Sequence, residues 1–173
     1  MDERDVIGWN DWFFSMARVV AQRSKDRSTQ VGCIVVGPDR EVRSMGYNGF
    51  PRGVDDTRED WHERPMKYLL TVHAEANAVA NAARVGVQLK GCIAYVTLPP
   101  CSRCAALLIN AGVTTVQFLD VESWEGQARW KEEFDLGLEL FRQADVRVRC
   151  VSTDKIVDYY HAGSSIETRR TER

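Results

Sequence analysis

The sequence predicts an α/β layered domain built on a mixed, five-stranded sheet. Three observations predict it. Short runs rich in Val, Ile and aromatic residues alternate with longer segments of helical periodicity, the order a layered α/β domain requires. Gly- and Pro-containing turn signals punctuate them. A chain of 173 residues, 44% hydrophobic and 28% charged, is long and apolar enough for one domain with its own core.

In chain order, Trp9, Trp12, Phe13, Met16, Val19 and Val20 fall at helical spacing and read as the core face of an amphipathic helix. Ser24 to Gln30 is a polar loop. Val31 to Val36 is a short apolar strand, Gly37-Pro38-Asp39-Arg40 a turn with Pro at its second position, and Glu41 to Tyr47 the returning strand of a hairpin. Asn48 to Met66 is polar and reads as one long loop, a length that usually accompanies function or mobility. Lys67 to Val72 leads into a second helix, which carries His73, Ala76, Val79, Ala80 and Ala83 and ends at Gly86. Ile93 to Leu98 is a strand between Gly91 and Pro99-Pro100. Ser102 to Ala111 is a third helix stopped by Gly112, Thr114 to Asp120 a strand, Glu125 to Ala144 a long fourth helix and Val146 to Val151 the fifth strand. The domain is expected over residues 1–162. Residues 163–173 are polar apart from Ile166 and read as a flexible tail.

Charge and cysteine usage narrow the function classes. A net charge of -2 argues against broad electrostatic binding to a polynucleotide. The start, Met1-Asp2-Glu3-Arg4-Asp5, is unlike a signal peptide, and no apolar stretch reaches the roughly 20 residues of a membrane span. Five cysteines, two of them in a C-x-x-C, suit a reducing, cytoplasmic setting with thiolates used for metal. Cys33, Cys92 and Cys150 read as buried, inert thiols. Tyr95 reads as core, and His62 and His161 as surface residues.

The densest signal is His73-Ala74-Glu75 followed by Pro100-Cys101-Ser102-Arg103-Cys104. One imidazole and two thiolates with an open fourth position is the ligand set of a catalytic zinc; a closed structural site would need a further Cys or His. Both groups open predicted helices, whose N-terminal partial charge favours thiolates. Glu75 sits two residues from His73 and is placed to shuttle protons as general acid and base without ligating. H-x-E with P-C-x-x-C is an established signature of zinc-dependent nucleobase deaminases, matched here.

Further segments narrow the match. They are Ser24-Lys25-Asp26 with Gln30-Val31-Gly32, then Gly46-Tyr47-Asn48-Gly49-Phe50-Pro51-Arg52-Gly53, His73-Ala74-Glu75-Ala76-Asn77-Ala78 and Thr97-Leu98-Pro99-Pro100-Cys101-Ser102-Arg103-Cys104. With these the chain resembles the deoxycytidylate (dCMP) deaminases of the cytidine deaminase-like superfamily. The resemblance implies a three-layer α/β/α fold and zinc-dependent hydrolysis of dCMP to dUMP with release of ammonia. It implies zinc on His73, Cys101 and Cys104, and Glu75 as the catalytic residue. Asn48 looks like the asparagine that bonds the sugar. Lys25, Arg27 and Ser28 suit the 5′-phosphate and Trp124 the base, with Ala74 among the substrate-binding residues. Relatives that are homohexamers activated by dCTP and inhibited by dTTP make Asn48, Gly49 and Arg52 effector candidates. The segment Val54 to Val72 contains His62 and no cysteine, which argues against the second, structural zinc of another branch.

Other readings stay open on the sequence. A tRNA adenosine deaminase would need a basic groove, against which the run Asp55-Asp56-Thr57-Arg58-Glu59-Asp60 stands. A deaminase of cytosine, cytidine or guanine would leave the cationic loop without a purpose. A non-enzymatic zinc module would leave Glu75 dispensable.

Overall fold

Gly32–Val36 (β1) is buried along its whole length, and the sheet grows outwards from it. The computed structural model describes residues 6–120, 127–152 and 156–160. β1 pairs antiparallel with β2 (Val42–Tyr47) through the expected turn, where Gly37 N–H donates to the Glu41 carbonyl at 2.8 Å. On its other side β1 pairs antiparallel with β3 (Ile93–Val96), which pairs parallel with β4 (Thr115–Leu119), and β4 parallel with β5 (Arg147–Val151). The five predicted strands are all present. A sixth, β6 (Ile156–Tyr160), pairs antiparallel with β5, so the sheet order is β2-β1-β3-β4-β5-β6. Ile156, Val157, Tyr159 and Tyr160 favour extended backbone, a strand signal that the five-strand reading passed over.

Strand alternation divides the core into two layers of packing. Cys33, Val35, Ala94, Val96, Val116 and Phe118 face one side. There they meet Ala78 of α3 (Ala74–Val85), Leu108 of a third-layer helix (Ser102–Asn110) and Phe141 of a long one (Gln127–Gln143). Ile34, Val36 and Tyr95 face the other side and pack on Phe13, Phe14 and Ala17 of α1 (Trp9–Ala21). Counting the short helix Met66–Leu70 as α2, Ser102–Asn110 is α4 and Gln127–Gln143 is α5. The result is the α/β/α sandwich that the resemblance implies. Among the described residues no helix is long and apolar enough to cross a membrane.

Two expectations need correction. The core stripe of α1 is Phe13, Phe14, Ala17 and Ala21, whereas Trp9, Trp12 and Val19 are 50%, 47% and 64% exposed. The reason is close approach: a Cβ on Gly32 would sit 2.0 Å from the Ala17 carbonyl oxygen, so the small residues of α1 face the strand and the tryptophans cannot. The loop from Asn48 to Met66 is not structureless. It holds a 3-10 turn at Glu59–Trp61, and beyond it Val72 bridges back to Gly49. The expected tail over 163–173 lies outside the described residues.

Candidate active site

Two helix starts converge to make a metal corner. His73 is the N-cap of α3 and Cys101 the N-cap of α4, both with extended backbone, and Cys104 sits in the first turn of α4. Glycine lets their supports approach. A Cβ on Gly46 would lie 2.3 Å from the Ala74 carbonyl oxygen, so β2 rests directly on the start of α3. A Cβ on Gly137 would lie 2.5 Å from the Pro100 carbonyl oxygen, so α5 rests directly on the start of α4. Ser102 Oγ also donates to Glu133 Oε2 of α5 at 2.8 Å.

His73 Nδ1 lies 3.4 Å from Cys101 Sγ and 3.5 Å from Cys104 Sγ. Two ligands on a tetrahedral zinc, one nitrogen and one sulfur, stand about 3.5 Å apart, so the donor set fits the ion in type and spacing. Among the described residues this trio is the one His/Cys/Asp/Glu group that can hold a metal. His62 lies elsewhere, with Nε2 2.8 Å from the Asp56 carbonyl oxygen.

Burial and mutual hydrogen bonds shift the titratable groups of the corner, His73, Glu75, Cys101 and Cys104. The Cys101 thiol is pushed down to about 4, first by the hydrogen bond from Cys104 and then by His73, against the effect of burial. Cys104, the partner that keeps the proton, is pushed up, with burial and the Glu75 carboxyl adding to the rise. His73 is raised, chiefly by its hydrogen bond with Cys101. Glu75 is 3% exposed, and burial lifts its carboxyl to about 7 although His73 pulls it down.

The corner opens into a cleft of about 710 Å³, mouth included. His73, Ala74, Glu75 and Cys101 form its inner end. Tyr68, Trp130 and Phe134 form an aromatic wall, in which Trp130 meets both His73 and Tyr68 edge to face, at centroid distances of 6.0 and 5.8 Å. Arg64, Lys67 and Arg129 bring positive charge to the cleft, beside Asp26 and Ser28.

The predicted substrate residues divide. Ser28, Asn48 and Ala74 line the cleft. Asn48 is 6% exposed and stitches the preceding loop: its Oδ1 accepts from Val31 N–H at 2.7 Å and its Nδ2 donates to the Thr29 carbonyl at 2.9 Å. Lys25 and Arg27 are not on this wall. They turn outwards into exposed ion pairs, Lys25 with Asp56 and Arg27 with Glu59, both at 2.6 Å. Gly49 lines a neighbouring cavity, and Arg52 donates to Asn81 Oδ1 at 2.8 Å. Trp124 lies outside the described residues.

Sequence reasoning missed Lys67, Asp26 and Trp130. Lys67 is 9% exposed, and its Nζ donates to Asp26 Oδ1 at 2.8 Å and to Ser28 Oγ at 2.7 Å. Asp26 Oδ1 also accepts from the backbone N–H groups of Ser28 and Thr29 at 2.8 and 3.0 Å. Burial alone would raise the Asp26 carboxyl, but these donors outweigh it and hold the pKa below its ordinary value. No local motif announces a pair so far apart in sequence. Trp130 reads as one more apolar position of a long amphipathic helix.

Comparison with known proteins gives a consistent picture. The family model for the cytidine and deoxycytidylate deaminase zinc-binding region matches residues 7–120. An uncharacterized deaminase in the luxG 3′ region of Aliivibrio fischeri is 41% identical over 149 residues, 86% of this chain and 97% of that protein. The deoxycytidylate deaminase of Mus musculus is 36% identical over 150 residues, 84% of this chain and 80% of that protein. Among solved structures, the dCMP deaminase of the cyanophage S-TIM5 in complex with dCMP and dUMP superposes with a TM-score of 0.65, at 24% identity, over 82% of this chain and 95% of that one, a likeness of fold. The chain therefore belongs to the cytidine and deoxycytidylate deaminase zinc-binding family.

Proposed function

We propose that the chain hydrolyses dCMP to dUMP and ammonia, supplying dUMP for thymidylate synthesis. The observation that carries this reading is a single cleft joining the His73–Glu75–Cys101 corner to the cations Arg64, Lys67 and Arg129. A cytosine ring needs only the corner, whereas a 5′-phosphate needs cationic donors at the other end. The relative from mouse, a deoxycytidylate deaminase, supports the same substrate.

In this reading His73, Cys101 and Cys104 hold the zinc, which when bound supplies Lewis acidity and lowers the pKa of water to about 7. Glu75 takes a proton from the attacking water and passes it to N3 of the ring as the water oxygen adds to C4. Glu75 then delivers the second water proton to the exocyclic amine, the C4–N4 bond breaks and ammonia leaves. One water is consumed and the two products balance. Trp130 and Tyr68 flank the base, a role expected of Trp124 from the sequence. Asn48 holds the sugar end, with Ala74 beside the base and Ser28 near the phosphate.

The reading extends to a homo-oligomer, a hexamer by resemblance, for which the exposed Trp9, Trp12 and Val19 offer an apolar face. It includes dCTP and dTTP as effectors near Asn48, Gly49 and Arg52, and a cytoplasmic setting.

The test is ammonia release from dCMP, deoxycytidine and CMP, with and without dCTP and dTTP. Preferred turnover of dCMP supports the reading. Turnover of deoxycytidine alone, or of neither, removes the substrate assignment.

A further inference from the structure

Asp26, Lys67 and Thr71 line both the cleft and a second cavity behind it, whose walls include Lys25, Arg27, Tyr47 and His62. They are the partition between the two spaces. Its centre is firmly built: the side chains of Lys67 and Asp26 are 11% and 10% exposed and 2.8 Å apart. Ser28 Oγ closes the triangle, donating to Asp26 at 3.0 Å and accepting from Lys67 at 2.7 Å. An ammonium has three N–H donors, so these two oxygens leave one for a ligand.

The charges on the two sides explain what the partition does. A phosphate monoester approaching along the cleft meets Lys67, flanked by Arg64 and Arg129. A di- or triphosphate must place additional negative charge against the Asp26 carboxylate, an expensive like-charge contact away from bulk water. With the partition removed, the two cavities would join, and a longer chain would meet Arg23 beside the ion-paired Lys25 and Arg27. We infer that the Asp26–Lys67 pair selects the phosphate by length, Lys67 donating to a terminal monoester and Asp26 repelling any phosphate beyond it. The inference rests on the nucleotide reading above and adds a specificity-determining pair to it.

The test compares kcat/KM for deoxycytidine, dCMP and dCDP in the zinc-loaded wild type, Lys67→Met and Asp26→Asn, following uracil-product formation. In Lys67→Met the preference for dCMP over deoxycytidine falls about 100-fold, the size of a lost charged hydrogen bond. In Asp26→Asn the preference for dCMP over dCDP falls at least about tenfold. Proportional losses on all three substrates would make the pair a structural staple and overturn the inference. Should either variant fail to fold, Lys67→Gln and titration of dUMP, dUDP and deoxyuridine carry the comparison, and a wild-type order of affinities there overturns it. Wild type that ignores dCMP sinks the substrate reading and this inference together. Wild type that uses dCMP, with variants that keep its substrate ratios, sinks this inference alone.

Discussion

The metal corner and the cationic wall share one cleft but are held by different physics. The corner is backbone on backbone: Gly46 lets β2 touch the start of α3, and Gly137 lets α5 touch the start of α4. Its ligands come from two short motifs at helix N-termini. The wall is side chain on side chain. Lys67 and Asp26 reach each other across 41 positions of sequence, and the outer pairs Lys25–Asp56 and Arg27–Glu59 lie in solvent. The corner is thus set by close backbone approach, and the wall by charges that tertiary structure pairs.

The comparison breaks first at the corner. Cys104→Ala removes one of three ligands, so stoichiometric zinc and all turnover are lost, and melting temperature falls because metal binding is folding free energy. Metal analysis beside thermal unfolding checks it, and a variant that keeps one zinc per chain would take Cys104 off the ligand set. Glu75→Gln is the finer cut. It keeps zinc and fold and loses roughly a thousandfold in kcat, the scale of general acid–base catalysis. Near-normal turnover in that variant would end the proton-shuttle role.

At the wall the expected effects are smaller and depend on pH. Asp26 has a folded pKa below its ordinary value of 3.8, so its carboxylate stabilises the fold at neutral pH, and the contribution fades as pH falls through the folded pKa. Asp26→Asn is therefore less stable than wild type at pH 7, and the gap narrows below about pH 4. Denaturant titrations at both ends of that range read it, and a gap constant with pH would show that the carboxylate charge is not what matters. The smallest effect belongs to the outer ring. Replacing Lys25 and Arg27 together by Ala costs about 1 kcal/mol or less, since both ion pairs are exposed. It lowers kcat/KM for dCMP by no more than about threefold, as screened charges off the cleft wall should. A loss as large as that of Lys67→Met would move the phosphate contact back to the loop that the sequence suggested.

The same division decides what the sequence makes legible. His73, Glu75, Cys101 and Cys104 are visible because each helix start carries its residues in a short motif, although only the packing of α3 beside α4 brings the two motifs together. The hairpin and the parallel strands are visible because each is a short apolar run bounded by turn residues. Lys67 is not, since its importance lies in burial against Asp26, and a lone lysine at the edge of a polar loop reads as solvated. Trp9 and Trp12 mislead for a related reason. Hydrophobicity marks them for the core, but Gly32 admits only Ala17 and Ala21 at that contact. Trp130 hides among the apolar positions of α5 until the fold sets it beside His73.

One arrangement has a consequence for how such an enzyme changes. The corner is complete at Cys104, but two of the three rings of the aromatic wall arrive later, with Trp130 and Phe134 on α5. That helix rests on the start of α4 through Gly137 and a serine–glutamate hydrogen bond, and its far end is anchored by the fully buried Phe141. Substitutions at Trp130 and Phe134, away from that anchor, can therefore resurface the cleft while the metal corner underneath stays the same. A change of preferred ring or substituent needs only new furniture on that helix, and the machinery for removing an amine is inherited whole.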